Sequence, residues 1–568
     1  MLFQRLVEVF EQLGQTSSGN RLRELLSAFF RRVPPREIEQ VGYLTLGSIA
    51  SAYEGVVFGM AEKMVLRSIA AASSLSGEAV QEAFKKLGDA GMVAAAHLRG
   101  RGGKLTIQEV FQRLHAIAAA HGQQSQERKI SELAALMRRA SPLEAKYLAR
   151  IVLGTLRLGV ADMTVLDSLA IAFTGDKKSK VQLEHAYNIC PDVGIIAKAL
   201  ATKGLRSIGS IGVSVGRPVK MMLAQRAASI GEIMERMPEG IAAEEKYDGE
   251  RVQIHRKGSR VTLFSRRMDT ITGQFPELAA AAGQLKGEFI IEGEIVPLGA
   301  KGGLLPFQTL MQRRRKHDIA AYQKKIPVAV FLFDVLYVNG RSLLRTPYHE
   351  RQEALRRLVG KETRVLRFAR KTLSDEGDAI ESFFNECVKR GTEGIIAKDP
   401  HGVYQAGRRG YLWIKWKREY AKELRDTFDL AVVGAFAGKG KRSGTYGALL
   451  CAAYNDKDDR FETVCKLGSG LTDEQLAGLP KRFKPYVIPH HAARLRVHKA
   501  MDADAWFEPA LVVEVLGAEL TRSPLHTCAE KDGTGLALRF PRLLRFRDDK
   551  KPEQATTTRE IRGVYEKR

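Results

Sequence analysis

Apolar residues recur at intervals of three or four along the first two hundred positions, as they do on one face of an amphipathic helix. The first two runs consist of Phe3, Leu6, Val7, Phe10 and Leu13, then Leu22, Leu25, Leu26, Phe29 and Phe30. The small and polar residues 17–20 separate the runs and supply a cap signal. Further along, Ser141 and Pro142 open another helical run. The pattern predicts an all-α region over residues 1–215.

The pattern changes after residue 208. Residues 208–220 are rich in glycine and contain a proline, which is typical of an extended linker. Beyond the linker, β-rich runs bounded by turn residues indicate strands, at 251–267, 288–298 and 327–341. We therefore expect an α+β region over residues 216–420.

A second change follows the charged segment 417–429. Short apolar runs then recur, at 430–438, 447–454, 461–468 and 510–520. Short strands separated by turns are typical of small barrels. The sequence predicts a closed or partly open β-barrel over residues 421–568.

Composition places the chain among folded proteins. Its 568 residues are 44% hydrophobic and 27% charged, and at about 150 residues per domain this length favours three to four domains. The longest uncharged stretch, 40–53, is shorter than the roughly 18 residues of a membrane-spanning helix. Glu8 and Glu11 interrupt any apolar core of a secretory signal. We expect a cytoplasmic protein without a membrane span.

Charge and cysteine usage narrow the class of partner. The 90 Lys and Arg residues exceed the 65 Asp and Glu residues by 25, and the pI is near 9.8. Such an excess is typical of proteins that bind polyanions, nucleic acid first, although a general bias towards basic composition would produce it too. The five cysteines show no CxxC spacing, which argues against a zinc ribbon or a disulfide framework.

Segment 244–251 is the first candidate for chemistry. Asp248 and Gly249 predict a tight turn that would hold Lys246 and Arg251 on the same side of a pocket. A lysine becomes a covalent nucleophile when neighbouring cations and burial lower its pKa. The alternative is a surface hairpin with a solvated lysine, and this segment alone leaves both interpretations open.

Six segments in chain order resemble the motifs of the covalent nucleotidyltransferases, which comprise DNA ligases, RNA ligases and mRNA capping enzymes. Residues 246–251 are similar to motif I, whose lysine carries the nucleotide as a phosphoramidate. Motifs Ia, III, IIIa, IV and V are matched by residues 265–267, 292–294, 331–334, 393–398 and 413–417. In motif III, Glu292 stands where aspartate is common, so the resemblance assigns its role to Glu294 and leaves Glu292 uncertain. A surface hairpin at Lys246 would not explain why all six segments occur in the order of the family's motifs.

The resemblance implies a role for each of these positions. Lys246 would attack the α-phosphate of ATP, and Arg251 and Glu294 would hold the ribose. Arg266 would steady the ribose or the 5′-phosphate of a nucleic acid. These roles agree with the needs of a bound triphosphate, because its phosphates require cations and its metal ion requires carboxylates.

The remaining implied roles concern the base, the metal and the phosphates. Phe333 would stack on adenine, and Glu244 would meet the edge of the base. Glu294 and Glu393 would lie near the divalent metal, Mg²⁺. Three cations would lie near the α-phosphate: Arg409, Lys415 and Lys417. Each side chain taken singly has an ordinary alternative, since Phe333 could be a core residue and the lysines could form an exposed strand face.

The C-terminal tail resembles a narrower family. Residues 536–557 are similar to motif VI and the terminus of the archaeal and eukaryotic replicative ATP-dependent DNA ligases, in which Arg547 and Lys550 would face the departing pyrophosphate. Segments 146–170 and 217–224 are similar to the DNA-binding domain and the entry to the catalytic domain of those ligases. The resemblance implies three domains: a helical DNA-binding domain (1–215), an adenylylation domain (216–420) and an OB-fold (421–568).

This family would imply a monomeric enzyme that uses ATP and Mg²⁺ to seal nicks in duplex DNA. It would also imply partnership with a sliding clamp, although we identify no clamp-binding peptide. Three alternatives remain at this stage. One is an RNA ligase or capping enzyme, which the long helical region and the tail disfavour. Another is an NAD-dependent ligase, which would be expected to carry a four-cysteine zinc site. The third is a nick-binding scaffold without activity.

Overall fold

The computed structural model describes residues 1–100, 102, 104–314, 319–418, 427–438, 445–517 and 519–566. The chain divides into two compact units, Met1–Arg418 and Glu419–Arg568. Within the charged segment predicted to mark the second boundary, residues 419–426 lie outside the described residues. Among the helices that are described, none has the length and apolar character needed to cross a membrane.

The first unit begins with a helical region, as predicted. Its described helices are α1 Phe3–Gly14, α2 Gly19–Phe30, α3 Ile38–Thr45, α4 Glu62–Ala72, α5 Gly77–Leu87, α6 Ala90–His97, α7 Ile107–Ala119, α8 Ser125–Arg139, α9 Pro142–Val152, α10 Asp162–Thr174, α11 Lys180–Ile189 and α12 Val193–Lys203. All five apolar residues of the first predicted run are buried on α1. Ser141 caps α9 reciprocally with Glu144, which satisfies backbone donors that the first turn leaves unpaired. The apolar periodicity and the caps therefore account for these helices.

The rest of the first unit mixes strands and helices. The strands are β1 Leu223–Arg226, β2 Ile241–Lys246, β3 Glu250–Lys257, β4 Arg260–Ser265, β5 Phe289–Pro297, β6 Val328–Val338, β7 Arg341–Ser342, β8 Leu366–Phe368, β9 Lys371–Ser374, β10 Gly394–Lys398 and β11 Arg409–Lys417. The helices are α13 Ile230–Arg236, α14 Pro276–Gly283, α15 Phe307–Met311, α16 Ile319–Lys325, α17 Tyr348–Val359 and α18 Gly377–Lys389. This part has the predicted α+β character.

Two sheets form this α+β part. One has the strand order β1-β11-β10-β2-β9, and the other has the order β4-β3-β5-β6-β7 with β8 paired to β6. Helices α13 and α18 pack on the first sheet, and α14 and α17 pack on the second. A further core contains residues of both sheets, among them Ile290, Leu336 and Trp413. The two sheets therefore pack against each other through apolar side chains.

The second unit is rich in strands, as predicted. Its described elements are β12 Thr427–Ala437, β13 Tyr446–Asn455, β14 Arg460–Leu467, α19 Asp473–Phe483, β15 Val487–Ile488, β16 Leu495–Arg496, β17 Ala505–Phe507, β18 Val512–Leu516, β19 Glu519–Ser523, β20 Cys528–Lys531, β21 Thr534–Arg539, β22 Arg542–Phe546 and α20 Thr558–Glu566. Strands β19, β20 and β21 form a sheet of their own, but their apolar residues share one core with the larger sheet.

The tail segment that resembles motif VI belongs to two sheets. Around Phe540 and Pro541, β21 ends at Arg539 and β22 begins at Arg542 in a different sheet. Proline has no N–H to donate to a ladder. Phe540 also has a φ of 51°, a left-handed conformation that interrupts extended backbone. The chain therefore changes sheets at these two residues.

Candidate active site

A cavity of about 390 Å³ in the α+β part of the first unit brings the predicted residues together. Ten of them line it: Glu244, Lys246, Arg251, Arg266, Glu294, Phe333, Glu393, Arg409, Lys415 and Lys417. Eight of them come from the six motifs, Glu244 and Arg409 lie just before motifs I and V, and together they span more than 170 positions of the chain. The convergence is difficult to reconcile with a solvated surface hairpin at Lys246.

Strand register explains one wall of the cavity. On β10, Ile396 pairs with Glu244 of β2 on one side and with Lys415 of β11 on the other. Gly394 pairs in the same way with Lys246 and Lys417. Successive side chains of a strand point to opposite faces. Alternate residues of the three strands therefore share the face that lines the cavity.

A tight turn joins this wall to the second sheet. Residues 247–249 connect β2 to β3, and a Cβ on Gly249 would lie only 2.3 Å from the carbonyl oxygen of Ile295. Glycine is therefore required by the close approach of the turn to β5. On β3, Arg251 pairs with Glu294 of β5, so the turn delivers Lys246 and Arg251 to the same cavity, as predicted.

Arg251 is held by groups that the sequence prediction did not assign. Its Nη1 donates to the carbonyl oxygen of Met222 at 2.6 Å, and its Nη2 donates to Glu292 Oε2 at 2.8 Å. The hydroxyl of Tyr404 donates to the same Glu292 oxygen at 2.9 Å. The guanidinium carbon lies 5.3 Å from the centre of the Phe333 ring. Glu292, which the resemblance leaves uncertain, is thus the counter-ion of Arg251.

Lys246 and Glu393 contact each other inside the cavity. The Glu393 carboxylate also binds Lys417, with the ammonium nitrogen 2.9 Å from the oxygen. Burial by itself would raise the pKa of Glu393, but Lys246 and Lys417 outweigh burial and hold that pKa below its usual range. Burial and the neighbouring ammonium groups of Lys417 and Lys246 lower the pKa of Lys415. The cavity therefore holds an ionised carboxylate among closely spaced lysines.

Glu294 has the opposite electrostatic character. Burial raises the pKa of Glu294 to about 7, and the carboxylates of Glu393 and Asp248 add to this effect although Lys246 and Arg251 oppose it. A divalent cation bound beside Glu294 would favour the ionised form of this buried carboxylate. Carboxylate oxygens are the ligands that Mg²⁺ prefers, and the ion usually binds one or two of them together with water and substrate phosphates.

The donor set fits Mg²⁺ that is shared with a nucleotide. In the described part of the chain, no cluster of three or more histidine, cysteine or carboxylate side chains forms a complete metal site. Glu294 and Glu393 are two of the five carboxyl groups that line the cavity, beside seven Lys and Arg side chains that suit phosphate. The residues present would thus bind the ion weakly without the ligands that a nucleotide supplies.

Tyr348 and Lys398 are site residues without a predicted role. Both contact Glu244 within the first unit. Lys398 belongs to the segment that resembles motif IV, so its presence near the cavity could have been inferred from strand alternation with residues 394 and 396. Tyr348 and Tyr404 lie outside the matched motifs, and no local signal marks them. Only the packing of α17 and of the loop before β11 reveals them.

The tail cations lie in the second unit, whereas the cavity is lined by residues 223–417. Arg547 binds both carboxylate oxygens of Asp429 at 3.0 and 3.1 Å, and Lys550 binds one of them at 2.6 Å. Arg547 also donates two hydrogen bonds to Asp549. Both predicted pyrophosphate ligands are therefore paired with carboxylates of their own unit.

Comparison with protein families gives three matches along the chain. Residues 2–170 match a family described as DNA ligase N terminus. Residues 221–417 match the ATP dependent DNA ligase domain. Residues 442–550 match the ATP dependent DNA ligase C terminal region.

Full-length relatives give the same result. A protein named DNA ligase 2 from Thermofilum pendens is 47% identical, with 99% of this chain and 96% of the relative aligned. A protein named DNA ligase 1 from Methanosarcina acetivorans is 43% identical, with 99% of each chain aligned. A solved structure titled Pmar-Lig_Pre superposes with a TM-score of 0.55 at 18% identity, covering 96% of this chain and 99% of that one. This last likeness concerns the fold alone.

Proposed function

Because the chain belongs to the family of ATP-dependent DNA ligases, we propose that Lys246 is the residue that carries the AMP. The observation that supports this assignment is the convergence of all ten predicted residues of the first unit on one cavity around Lys246. The relatives are named DNA ligases rather than RNA ligases or capping enzymes. The function is therefore the sealing of DNA nicks through adenylate intermediates.

In the first step, the amine of Lys246 attacks the α-phosphorus of ATP. A nitrogen–phosphorus bond forms, the bond from the α-phosphorus to the bridging oxygen breaks, and pyrophosphate leaves while the amine loses its proton. Lys415, Lys417 and Arg409 would offset the charge on the phosphates. Such in-line displacements depend mainly on positioning and electrostatics. Arg251 is well suited to positioning because Glu292 and Met222 already fix its guanidinium.

In the second step the 5′-phosphate at the nick displaces Lys246 from the AMP. The 3′-hydroxyl then attacks this activated 5′-phosphate, a phosphodiester forms, and AMP leaves. Arg266 would hold the ribose or the incoming 5′-phosphate from the exposed edge of the cavity. Glu294 and Glu393 would hold Mg²⁺, which supplies charge stabilisation at the phosphates when it is bound.

Other parts of the chain would serve DNA and pyrophosphate. We propose that residues 1–215 bind nicked duplex DNA as a domain, that 216–420 form the adenylylation domain, and that 421–568 form an OB-type domain whose Arg547 and Lys550 meet pyrophosphate. The net charge of +25 supports a polyanionic partner. We propose that the enzyme works as a cytoplasmic monomer. Partnership with a sliding clamp would follow from the family.

The role of Lys246 can be tested by labelling and peptide mapping. The protein is incubated with ATP labelled at the α-phosphate and Mg²⁺, and the labelled peptide is identified. We expect label on Lys246 and complete loss of label in Lys246→Ala. Lys257→Ala, at the exposed end of β3, is the matched control and should label normally. Label that persists in Lys246→Ala would refute the assignment.

The role of residues 1–215 can be tested with a fragment that starts near Val215. We expect the fragment to form the Lys246 adenylate but to seal nicks poorly at moderate salt. Each phosphate contact that is lost should lower the slope of log K against log salt by roughly one unit. Equal sealing and equal salt slopes for the fragment and the full chain would contradict a DNA-binding role.

A further inference from the structure

Glu244 lines the cavity together with Phe333 and Trp413, and two donors hold its carboxylate. The hydroxyl of Tyr348 donates to one carboxylate oxygen, and the ammonium of Lys398 contacts the other at 2.5 Å. The side chains are almost inaccessible to solvent, with exposures of 3% for Glu244, 2% for Tyr348 and 1% for Lys398. An ion pair buried to this degree loses hydration that its mutual attraction seldom repays in stability. A role in ligand selection would explain why it is present.

The alternation of side chains along β10 places Lys398 on the same face as Glu244, towards the cavity. Ile396, which pairs with Glu244, and Lys398 point to the same face of β10, so Lys398 is a diagonal neighbour of Glu244 on the cavity side. The ammonium of Lys398 lies 4.3 Å from the centre of the Trp413 ring and 4.7 Å from that of Phe333. These two rings line the cavity together with Glu244 and Lys398. The ion pair of Glu244 and Lys398 therefore lies beside the Phe333 and Trp413 rings in the lining of the cavity.

Tyr348 is itself held in place by the helix that carries it. One turn further along α17, Arg351 binds Asp334 of β6 through two hydrogen bonds of 2.7 and 3.0 Å. Gln352 donates to the carbonyl oxygen of Phe333 at 2.7 Å. The helix is thus fastened to the strand that carries the stacking residue. These contacts fix the position of the helix turn that carries Tyr348 relative to β6.

The Glu244 carboxylate keeps hydrogen-bond acceptor positions that its two neighbours do not fill. An ionised carboxylate has about four acceptor positions, and Tyr348 and Lys398 each fill one. Burial and the Glu244 carboxylate raise the pKa of Tyr348 well above its usual range, so the hydroxyl remains a donor. The free positions of Glu244 can be used only by a further donor. A nucleotide offers ribose hydroxyls and N–H groups of the base, and beside Phe333, where the base would stack, the donor is an N–H group.

We propose that Tyr348 and Lys398 are positioning residues that hold Glu244 as a fixed acceptor for the 6-amino group of the bound purine. This inference rests on the proposed function and on the role that the family resemblance implies for Phe333, which would stack on the base. It goes further in naming the two side chains that hold Glu244 in place for its contact with the base. A site built around a hydrogen bond rejects an analogue that lacks the group, because the buried partner is left unpaired.

The test compares ATP with purine riboside 5′-triphosphate, which lacks the 6-amino group, as substrates for adenylylation of the full chain. For the wild type we expect kcat/KM to be at least about tenfold higher with ATP. In Tyr348→Phe we expect this preference to fall to within about threefold, mainly through a higher KM for ATP with little change in kcat. Tyr337→Phe is the matched control, because it removes a tyrosine hydroxyl from β6, the strand against which α17 packs. It should keep the wild-type preference for ATP.

Lys398 is tested by a pair of variants. Lys398→Met should lose the preference, and Lys398→Arg, which keeps a cationic donor, should restore part of it. The inference is overturned if the wild type does not prefer ATP, or if Tyr348→Phe keeps the full preference. A variant that fails to fold does not remove the test, because the wild-type ratio and Tyr348→Phe each decide it. Failure of the proposed function would appear differently, as label that is absent from Lys246.

Discussion

Two clusters in this molecule share a plan in which one carboxylate binds two cations. In the cavity of the first unit, Glu393 contacts Lys246 and Lys417. In the second unit, Asp429 contacts Arg547 and Lys550. The two clusters have similar local contacts, but the charges around them differ.

The cavity has a surplus of positive charge, whereas the tail cluster is balanced. Seven Lys and Arg side chains and five carboxyl groups line the cavity, and one of those carboxyl groups, Glu294, has a pKa raised to about 7 by burial. In the tail, Asp549 joins Asp429, so two carboxylates face two cations. The cavity is therefore preorganised for a polyphosphate. The proposed contact of the tail cations with pyrophosphate would require them to exchange carboxylate partners first.

We expect the largest effect when the cluster in the cavity is broken. Glu393→Gln removes the charge that binds Lys246 and Lys417 and that would hold Mg²⁺. We expect the rate of adenylylation to fall about 10²- to 10³-fold. Single-turnover labelling with ATP measures it, with Glu386→Gln on the exposed face of α18 as the control. A rate within threefold of the wild type would show that the cluster is not part of the chemistry.

The next largest effect should show that the tail acts in only one step of the reaction. Replacing both Arg547 and Lys550 by alanine should slow adenylylation about 10- to 100-fold, because charge-assisted hydrogen bonds to pyrophosphate are lost. Sealing of a chemically pre-adenylylated nick should be nearly unchanged. An equal loss in both assays would instead indicate a general role of the tail in folding or DNA binding.

The third effect is a pH dependence confined to the first unit. The pKa of Glu294 is raised by burial from 4.5 to about 7, so the folded state binds this proton more tightly than the unfolded state does. The contribution of Glu294 to the free energy of unfolding should therefore fall by roughly 2 kcal/mol as the pH rises from about 4.5 to about 7. His255 contributes a change of opposite sign, because burial lowers its pKa to about 3. The unfolding free energy of the wild type minus that of Glu294→Gln, from urea titrations without nucleotide or metal, should therefore fall over this range, whereas the difference from Glu288→Gln should stay flat. Arg547 lowers the pKa of Asp549, so the tail should show no such slope.

The smallest expected effect concerns the balanced cluster. Asp429→Asn leaves two partly buried cations without their shared counter-ion, and we expect the second unit to lose about 1 kcal/mol of unfolding free energy. Urea denaturation followed by a probe in that unit measures the change. The exposed Asp502→Asn is the control. An unchanged or higher stability would mean that Asp429 does not organise Arg547 and Lys550.

Much of the cavity follows from the sequence because it is built on strands. Alternation along a strand places Trp413, Lys415 and Lys417 on one face whatever the rest of the chain does. The turn at Gly249 then directs Arg251 towards Lys246. Helices of the first region likewise follow from apolar periodicity and caps, as at Ser141. These features depend on neighbours within a few residues, and periodicity reports such neighbours directly.

Other features depend on contacts between distant parts of the chain, which periodicity does not report. Glu292 could be recognised as the counter-ion of Arg251 only once Tyr404 and Met222 had been placed around it. The break in the tail at Phe540 appears only where the chain moves from one sheet to another. By itself the sequence determined the classes of the elements, the faces of the strands and many of the residues that line the cavity around Lys246. The tertiary structure alone decided which buried carboxylate pairs with which cation, because that pairing is set by the packing of sheets and helices that meet far apart in sequence.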